Sequence, residues 1–159
     1  MDPGDFRRWY DTVAEDLHRY VRRLADGADE ADDLFQETLA RYLGSGFDSD
    51  DPAERRRYLF RIATNLSRDR KRWSRRWDLG SLFERGGDPP ETRYGDRIDV
   101  QRALARLPPR SRALLWLAYV HGMEHKEIAE IVGVASTSVR VLLARARKKL
   151  LRNLERKHR

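Results

Sequence analysis

Hydroxyl and guanidinium side chains that could read DNA bases are concentrated near residue 140. A helix that enters the major groove needs short or flexible hydrogen-bonding side chains at its N-terminal end, where base edges are reached. Serine and threonine can donate or accept, arginine can fork onto guanine, and valine can contact a thymine methyl group. The candidate base-reading residues are Ser136, Thr137, Ser138, Arg140 and Val141. Better placed to neutralise phosphates are Arg145, Arg147, Lys148 and Lys149.

Residues 125–144 have the spacing of a helix-turn-helix, which would position these side chains. Ala129 falls where two helices would meet, Gly133 at the turn, and Val139 where the second helix packs on the first. Glycine suits the turn because the chain reverses there in a conformation that a β-carbon disfavours. A small core would be completed by Ile128, Val132, Val134 and Leu142. The spacing predicts a DNA-reading module, and the alternative is an ordinary helical hairpin with a glycine turn.

Formal charge is distributed in four blocks along the chain. The net charge is −9 over residues 1–54, +9 over 55–77, −3 over 78–99 and +10 over 100–159, within an overall +7. The basic blocks favour polyanionic partners, whereas the acidic segment favours a basic partner. The alternative is that the charges only solvate helix faces. Two separate strongly basic blocks in one small chain favour the first interpretation.

The first basic block is predicted to contain a second helix that binds nucleic acid. Apolar residues at spacings of three and four predict a helix over residues 53–76, and polar residues recur on another of its faces. Arginines there would follow a phosphate backbone, while an asparagine could form two hydrogen bonds with a base. That face carries Arg61, Asn65, Arg68, Arg72 and Arg76. Trp73 is in phase with the apolar stripe and is expected in the core, whereas Trp77 could stack on an unpaired base.

The elements predict an all-α fold of two small helical domains, an N-terminal helical bundle and a C-terminal helix-turn-helix, joined by a flexible linker. Further helices are expected over residues 5–26 and 29–43, with a loop over 44–52 and a linker within 78–97. The domains are expected to span 1–77 and 100–159, with 78–99 between them. Expected apolar contacts of the second and last helices include Leu34, Leu39, Leu43, Leu150 and Leu154.

Composition excludes several function classes. The 159 residues are 40% hydrophobic and 37% charged and include no cysteine, which excludes disulfides and thiolate metal sites. There is no secretory signal pattern and no apolar run of about 18 residues, so we expect a cytoplasmic protein without membrane insertion. His121 and His125 lack a third metal ligand, and residues 29–37 lack the spacing of a calcium loop. Without a phosphate loop or nucleophile motif, we expect neither a cofactor nor a catalytic activity.

Three segments, in this order, resemble the extracytoplasmic function (group IV) sigma factors, the promoter-specificity subunits of bacterial RNA polymerase. DEADDLFQETLARYL at residues 29–43 resembles the family's second conserved region. RRRYLFRIATNLSRDRKRWSRR at 55–76 resembles its segment for the minus-ten promoter element, and residues 104–150 resemble its fourth region. The resemblance covers nearly the whole chain except the linker.

The resemblance implies a role for each segment. The acidic helix would dock on the clamp helices of the largest polymerase subunit through Asp32, Asp33, Leu34, Gln36 and Glu37. The minus-ten element would be read by Arg61, Asn65, Arg68, Asp69, Arg72 and Arg76. The loop at 44–52 would capture a base flipped out of the DNA stack. The helix-turn-helix would bind the minus-thirty-five duplex, and the polymerase flap would be a further contact of the chain.

The chain departs from the family pattern at several positions, and the sequence leaves two other functions open. Tyr58 stands where the family usually has tryptophan, Glu124 and Ala135 replace serines ahead of the two reader helices, and Leu142 replaces an arginine, which implies a lost phosphate contact. The loop lacks the usual aromatic residue just before the third helix. Family members are commonly held by an anti-sigma factor. The alternatives are a dimeric helix-turn-helix regulator and a sigma-like decoy that binds polymerase without initiating transcription.

Overall fold

A computed structural model describes residues 2–71 and 95–156 of the chain. Within those residues there are seven α-helices and no strand. The chain divides into two compact units, unit 1 at Met1–Arg70 and unit 2 at Lys71–Arg159. The all-α prediction with two small helical domains is therefore confirmed.

Three helices build unit 1: α1 at Pro3–Leu24, α2 at Ala28–Gly44 and α3 at Pro52–Lys71. Their bounds differ by no more than two residues from the predicted ones, except that residues 72–76 of the predicted third helix lie outside the described part of the chain, as do Trp73 and Trp77. The unit's largest fully buried side chains belong to all three helices, and they are Leu17, Tyr20, Val21, Leu24, Leu34, Leu59 and Phe60.

Helix α2 is rotated away from the apolar face that the leucine spacing predicted. Leu43 is 56% exposed and Leu39 is only half-buried, whereas Thr38 and Tyr42 are buried. The reason is aromatic packing on α1: Tyr42 stacks on Trp9 with ring centroids 4.7 Å apart, and Phe35 stacks on His18 at 4.3 Å. Burying these rings removes more apolar surface from water than burying Leu43 would.

A buried hydrogen-bond chain connects α1 to α3. The hydroxyl of Thr64 donates to the carbonyl of Phe60 at 2.7 Å, and the Tyr20 hydroxyl lies 2.7 Å from the same threonine oxygen. Because the threonine proton is engaged by the carbonyl, Tyr20 is the donor in the second bond. The Tyr20 ring also stacks on Phe60, and burial raises the pKa of its hydroxyl. The core of unit 1 therefore contains a polar contact between α1 and α3 whose donors and acceptors are paired.

Four helices build the described part of unit 2: α4 at Gly95–Ala105, α5 at Pro109–Tyr119, α6 at His125–Val132 and α7 at Ser136–Glu155. Helix α7 packs against all three others. Helix α4 begins at Gly95, inside the segment predicted to be linker, and it buries Ala103. The other predicted linker residues, 78–94, lie outside the described residues.

Buried polar side chains close the C-terminal end of α4. The Asn153 amide donates to the Ala103 carbonyl at 3.1 Å, and the Arg112 guanidinium donates to the Ala105 carbonyl at 3.0 Å. These carbonyls belong to the last helical turn, where no amide of the same helix reaches them. Asn153 is therefore the buried residue near the end of α7, whereas Leu150 and Leu154, predicted to face inward, are only half-buried.

We expect Thr64→Val to destabilise the protein more than Tyr20→Phe. Tyr20→Phe removes one hydrogen bond and leaves Thr64 bonded to its carbonyl, at a cost of about 1 kcal/mol. Thr64→Val leaves the buried Tyr20 hydroxyl without its acceptor, at a cost of about 1–3 kcal/mol. Urea unfolding measures both, with Thr12→Val as the control because the Thr12 hydroxyl is exposed. A smaller loss for Thr64→Val than for Tyr20→Phe would reverse the donor assignment.

Candidate nucleic-acid and protein interfaces

The helix-turn-helix is formed by α6, a tight turn and α7. Gly133 ends α6 in the left-handed conformation, with φ 77° and ψ 42°, and its amide donates to the Ala129 carbonyl at 2.9 Å. Ala129 and Val139 are both buried, as is Ile128. The predicted turn and the predicted contact between the two helices are therefore present, because a left-handed glycine and two small or branched side chains allow the helices to approach closely.

The N-terminal half of α7 presents the predicted base-reading side chains to solvent. Ser136, Thr137 and Arg140 are exposed, Val141 is 50% exposed, and Ser138 is half-buried. The residue that caps α7 is Ala135, and no side chain makes a cap hydrogen bond there. The hydroxyls of the first turn are thus not used as a helix cap, the simpler role open to them.

Position 142 does not belong to this exposed face. Leu142 is 7% exposed and packs in the core with Val139, Leu143 and Ala146. The predicted place of Leu142 in the small core between the helices is therefore confirmed, and the inferred loss of a phosphate contact there stays a prediction. The candidate phosphate-binding residues on the exposed faces are Arg145, Arg147 and Lys148.

Tyr119 is a residue that sequence reasoning missed. Tyr119 is the last residue of α5 and is 61% exposed. Its hydroxyl accepts a hydrogen bond from the Arg147 guanidinium of α7 at 2.5 Å. The bond orients a candidate phosphate-binding arginine against the end of another helix. No local sequence signal marks this pair, because the two residues are 28 positions apart.

The acidic surface of unit 1 is built on α2. Asp32, Asp33 and Gln36 are exposed, and Glu37 is half-buried. Leu34, by contrast, is 0% exposed and lies in the core of the unit. Its predicted contact with polymerase is therefore corrected: Leu34 anchors α2 so that the flanking acids face outward, and it has no surface to offer a partner.

Glu37 bridges α2 and α3. Its Oε1 accepts from Arg41 at 3.2 Å and its Oε2 accepts from Arg70 at 2.5 Å. The Arg70 hydrogen bond is the main reason that the pKa of the Glu37 carboxyl lies below its ordinary value of 4.5. The ion pairs therefore contribute to stability above about pH 4.5 and lose that contribution as the pH falls through the lowered pKa.

The structure describes the basic face of α3 only up to the end of that helix at Lys71. Arg61 and Asp69 are exposed, and Asn65 and Arg68 are half-buried. Arg72 and Arg76 lie outside the described residues. Arg70 was not among the predicted site residues, because the spacing rule that selected the arginine face does not include it.

The loop between α2 and α3 is held by its own side chains. Phe47 stacks on Tyr58 with ring centroids 4.2 Å apart, and Tyr42 lies 6.0 Å from Tyr58. The Ser49 hydroxyl donates to Glu54 at 2.5 Å, and the Ser49 carbonyl accepts from the Arg55 side chain. Tyr58, in place of the family's tryptophan, thus supports an aromatic residue of the loop itself.

Neither a metal cluster nor a membrane-spanning helix is found in the described residues. No group of three or more histidine, cysteine or acidic side chains in residues 2–71 and 95–156 is arranged to hold a metal ion. No helix of that part of the chain is long and apolar enough to cross a membrane.

Both units match sigma-70 domains. Residues 9–77 match the family model of sigma-70 region 2, and residues 97–150 match that of sigma-70 region 4. The class that the fold and sequence define is therefore a sigma-70 protein with these two regions in the order expected.

Two relatives identify more narrowly the group of sigma-70 proteins to which the chain belongs. The ECF RNA polymerase sigma factor SigL of Mycobacterium tuberculosis is 30% identical over 141 residues, covering 84% of this chain and 80% of that protein. SigE of Mycolicibacterium smegmatis, also an ECF RNA polymerase sigma factor, is 34% identical over 146 residues, and this chain spans 56% of its length. The chain belongs to the ECF RNA polymerase sigma factors. This assignment does not favour the dimeric regulator or the decoy.

Solved structures agree with the fold. The sigma factor RpoE from Bartonella quintana, solved in complex with the anti-sigma factor NepR, is similar with a TM-score of 0.71 and 27% identity over 95% of this chain and 97% of that chain. A chain of the PhyRSL-NepR complex from Sphingomonas sp. Fr1 shares the fold, with a TM-score of 0.63 and 23% identity over 97% of this chain and 90% of that chain.

We expect Gly133→Ala to destabilise unit 2 by about 1–2 kcal/mol, the cost of a β-carbon in the left-handed conformation. Gly44→Ala is the matched control, because Gly44 is the last residue of α2 and a β-carbon there meets no atom within 4 Å. Urea unfolding followed by circular dichroism should show a loss for Gly133→Ala alone. Equal stability of the two variants would mean that the turn does not require glycine.

Proposed function

We propose that the chain is a group IV sigma factor that acts in the cytoplasm and catalyses no reaction itself. It binds core RNA polymerase and directs initiation at promoters whose minus-ten and minus-thirty-five elements are read by separate domains. The proposed domains are residues 1–77 and 100–159, joined by the linker 78–99. The observation that carries the proposal is the match of sigma-70 regions 2 and 4 to two compact units. The exposed charged candidates among the described residues include Asp32, Asp33, Arg61, Arg140, Arg145, Arg147 and Lys148.

Unit 1 has the two surfaces that such a role needs. The exposed acids Asp32 and Asp33, with Gln36 and Glu37, face outward on α2 and suit the basic clamp helices of the polymerase. The minus-ten element is proposed to contact α3, whose basic side chains would bind the backbone while Asn65 meets a base. The proposed minus-ten residues are Arg61, Asn65, Arg68, Asp69, Arg72 and Arg76.

Unit 2 is proposed to bind the minus-thirty-five duplex and the polymerase flap. Exposed side chains in the first turns of α7 can reach base edges, and basic residues beyond them can reach phosphates. The proposed base contacts are Ser136, Thr137, Ser138, Arg140 and Val141. The proposed phosphate contacts are Arg145, Arg147 and Lys148.

An anti-sigma factor is the proposed regulator. The support is the likeness to RpoE, which was solved with the anti-sigma factor NepR at 27% identity to this chain. Run-off transcription with core polymerase tests the proposal as a whole. A purified protein that forms no complex with core enzyme and directs no initiation would contradict it, and a complex without initiation would indicate the decoy.

We expect the double reversal Asp32→Lys/Asp33→Lys to abolish binding to core polymerase. It replaces two exposed carboxylates with ammonium groups, which a basic partner surface would repel. The matched control is Asp11→Lys/Glu15→Lys on α1, which makes the same change in net charge at exposed positions. Native electrophoresis with core enzyme measures the complex, and binding of a minus-thirty-five duplex by the same full-length variant should not be reduced. Equal loss of both activities would contradict the division of labour between the units.

Two arginines of α7 should respond differently to truncation. Arg140→Ala should reduce the binding free energy for the native promoter by about 1–3 kcal/mol and relax specificity at one base pair. The reason is that an arginine with two hydrogen bonds to guanine distinguishes this base from the others. Arg147→Ala should weaken binding to every duplex alike and reduce the salt slope by about one. Affinities for duplexes with single base-pair changes, measured over a series of salt concentrations, separate the two. A uniform loss for Arg140→Ala would make it a phosphate contact.

A further inference from the structure

We propose that Arg70 is an additional DNA-backbone ligand that Glu37 holds in the free protein, and that docking of α2 on polymerase releases it. The inference rests on the proposed function, since it takes α2 as the polymerase contact and α3 as the DNA contact. It concerns a residue of α3 that the sequence pattern does not select. Its carrying observation is the ion pair between Glu37 and Arg70, at 2.5 Å.

The pair joins the two helices that have different proposed partners. Glu37 lies in the row of side chains proposed to meet the polymerase, and Arg70 lies in the last described turn of the helix proposed to meet DNA. In the free protein the guanidinium of Arg70 is directed onto α2, with 34% of its side chain exposed. Because a nitrogen of the guanidinium is bonded to Glu37 and the negative charge of that carboxylate lies beside it, the Arg70 guanidinium attracts a phosphate less strongly than an unpaired guanidinium would.

Both oxygens of Glu37 are already engaged. Oε1 accepts from Arg41 and Oε2 accepts from Arg70, so a basic side chain of a partner that forks onto this carboxylate competes with both guanidiniums and repels their like charge. Arg41 lies one helical turn after Glu37 on α2, whereas Arg70 reaches the carboxylate from α3. Polymerase docking would therefore transfer the positive charge of Arg70 from α2 to the nucleic acid.

The exposure of the pair makes the exchange possible. About one third of each side chain is exposed, so the pair is a surface ion pair whose strength corresponds to roughly a two- to fivefold change in an equilibrium constant. A partner that supplies a better-placed cation can overcome it. By linkage, the factor by which docking on polymerase raises DNA affinity equals the factor by which bound DNA raises the affinity for polymerase.

The first test uses the free full-length protein and a short fluorescent single-stranded DNA of mixed sequence. Glu37→Gln should raise its affinity about two- to fivefold at low salt and steepen the salt dependence by about one phosphate, a slope of roughly 0.7. The gain should vanish in Glu37→Gln/Arg70→Gln and persist in Glu37→Gln/Arg41→Gln. Asp29→Asn controls for the loss of one negative charge on α2, since Asp29 is exposed and outside the proposed polymerase contact. A gain that survives the Arg70 substitution, or an equal gain in Asp29→Asn, would overturn the proposal.

The second test compares the free protein with the holoenzyme. Arg70→Gln should leave the DNA affinity of the free protein nearly unchanged, because Arg70 is held by Glu37, and should weaken DNA binding by the holoenzyme about two- to fivefold. An equal effect in both states, in a holoenzyme that forms and initiates normally, would contradict the release of Arg70. It would leave the proposed function intact. Failure of the wild-type chain to form a holoenzyme would instead overturn the proposed function.

Discussion

The rotation of each helix about its own axis is the constraint on which the rest of the structure depends. Burying a large apolar side chain contributes about 1.5–3 kcal/mol, whereas an exposed ion pair contributes less than about 1 kcal/mol. The buried apolar side chains therefore decide how each helix is rotated about its axis, and the charged side chains occupy the remaining, exposed face. On α7 the burial of Val139, Leu142 and Ala146 leaves Arg140 and Val141 outside. On α2 the burial of Leu34, Phe35 and Tyr42 leaves the acids outside in the same way.

Each unit contains buried hydrogen bonds that join its helices, beside buried polar atoms such as the Ser67 hydroxyl that have no hydrogen-bond partner among the described residues. In unit 1 the Tyr20 hydroxyl is bonded to Thr64, and in unit 2 Asn153 and Arg112 reach the carbonyls at the end of α4. Buried hydrogen bonds of this kind define one arrangement of the helices, because a shifted packing would leave a donor or acceptor without a partner. Two units that are each specified in this way can present their binding surfaces without relying on one another for their cores. This suits the proposed function, in which two promoter elements are read by separate domains.

What could be predicted from the sequence was local. The turn at Gly133, with Ala129 and Val139 at fixed distances from it, follows from helical spacing and from the conformational freedom of glycine. What could not be predicted depends on side chains far apart in sequence. The Arg147 to Tyr119 bond spans 28 positions, the Arg70 to Glu37 bond 33, and the Asn153 to Ala103 bond 50. The apolar face of α2 was misjudged for the same reason, because the rings of α1 rather than the leucine spacing decide which side of that helix is buried.

The opposite charges of α2 and α3 bear on how unit 1 would bind the two proposed partners. An acidic helix and a basic helix in one small bundle attract each other, and each proposed partner would have to replace the energy of that attraction. A buried pair would be costly to open, about 3–5 kcal/mol when one partner is removed, and would keep the two surfaces closed. The pair between Glu37 and Arg70 is instead partly exposed and is shared with Arg41. Its strength is enough to direct a long, flexible arginine away from solvent, yet small compared with the several contacts that a polymerase surface or a DNA backbone would add.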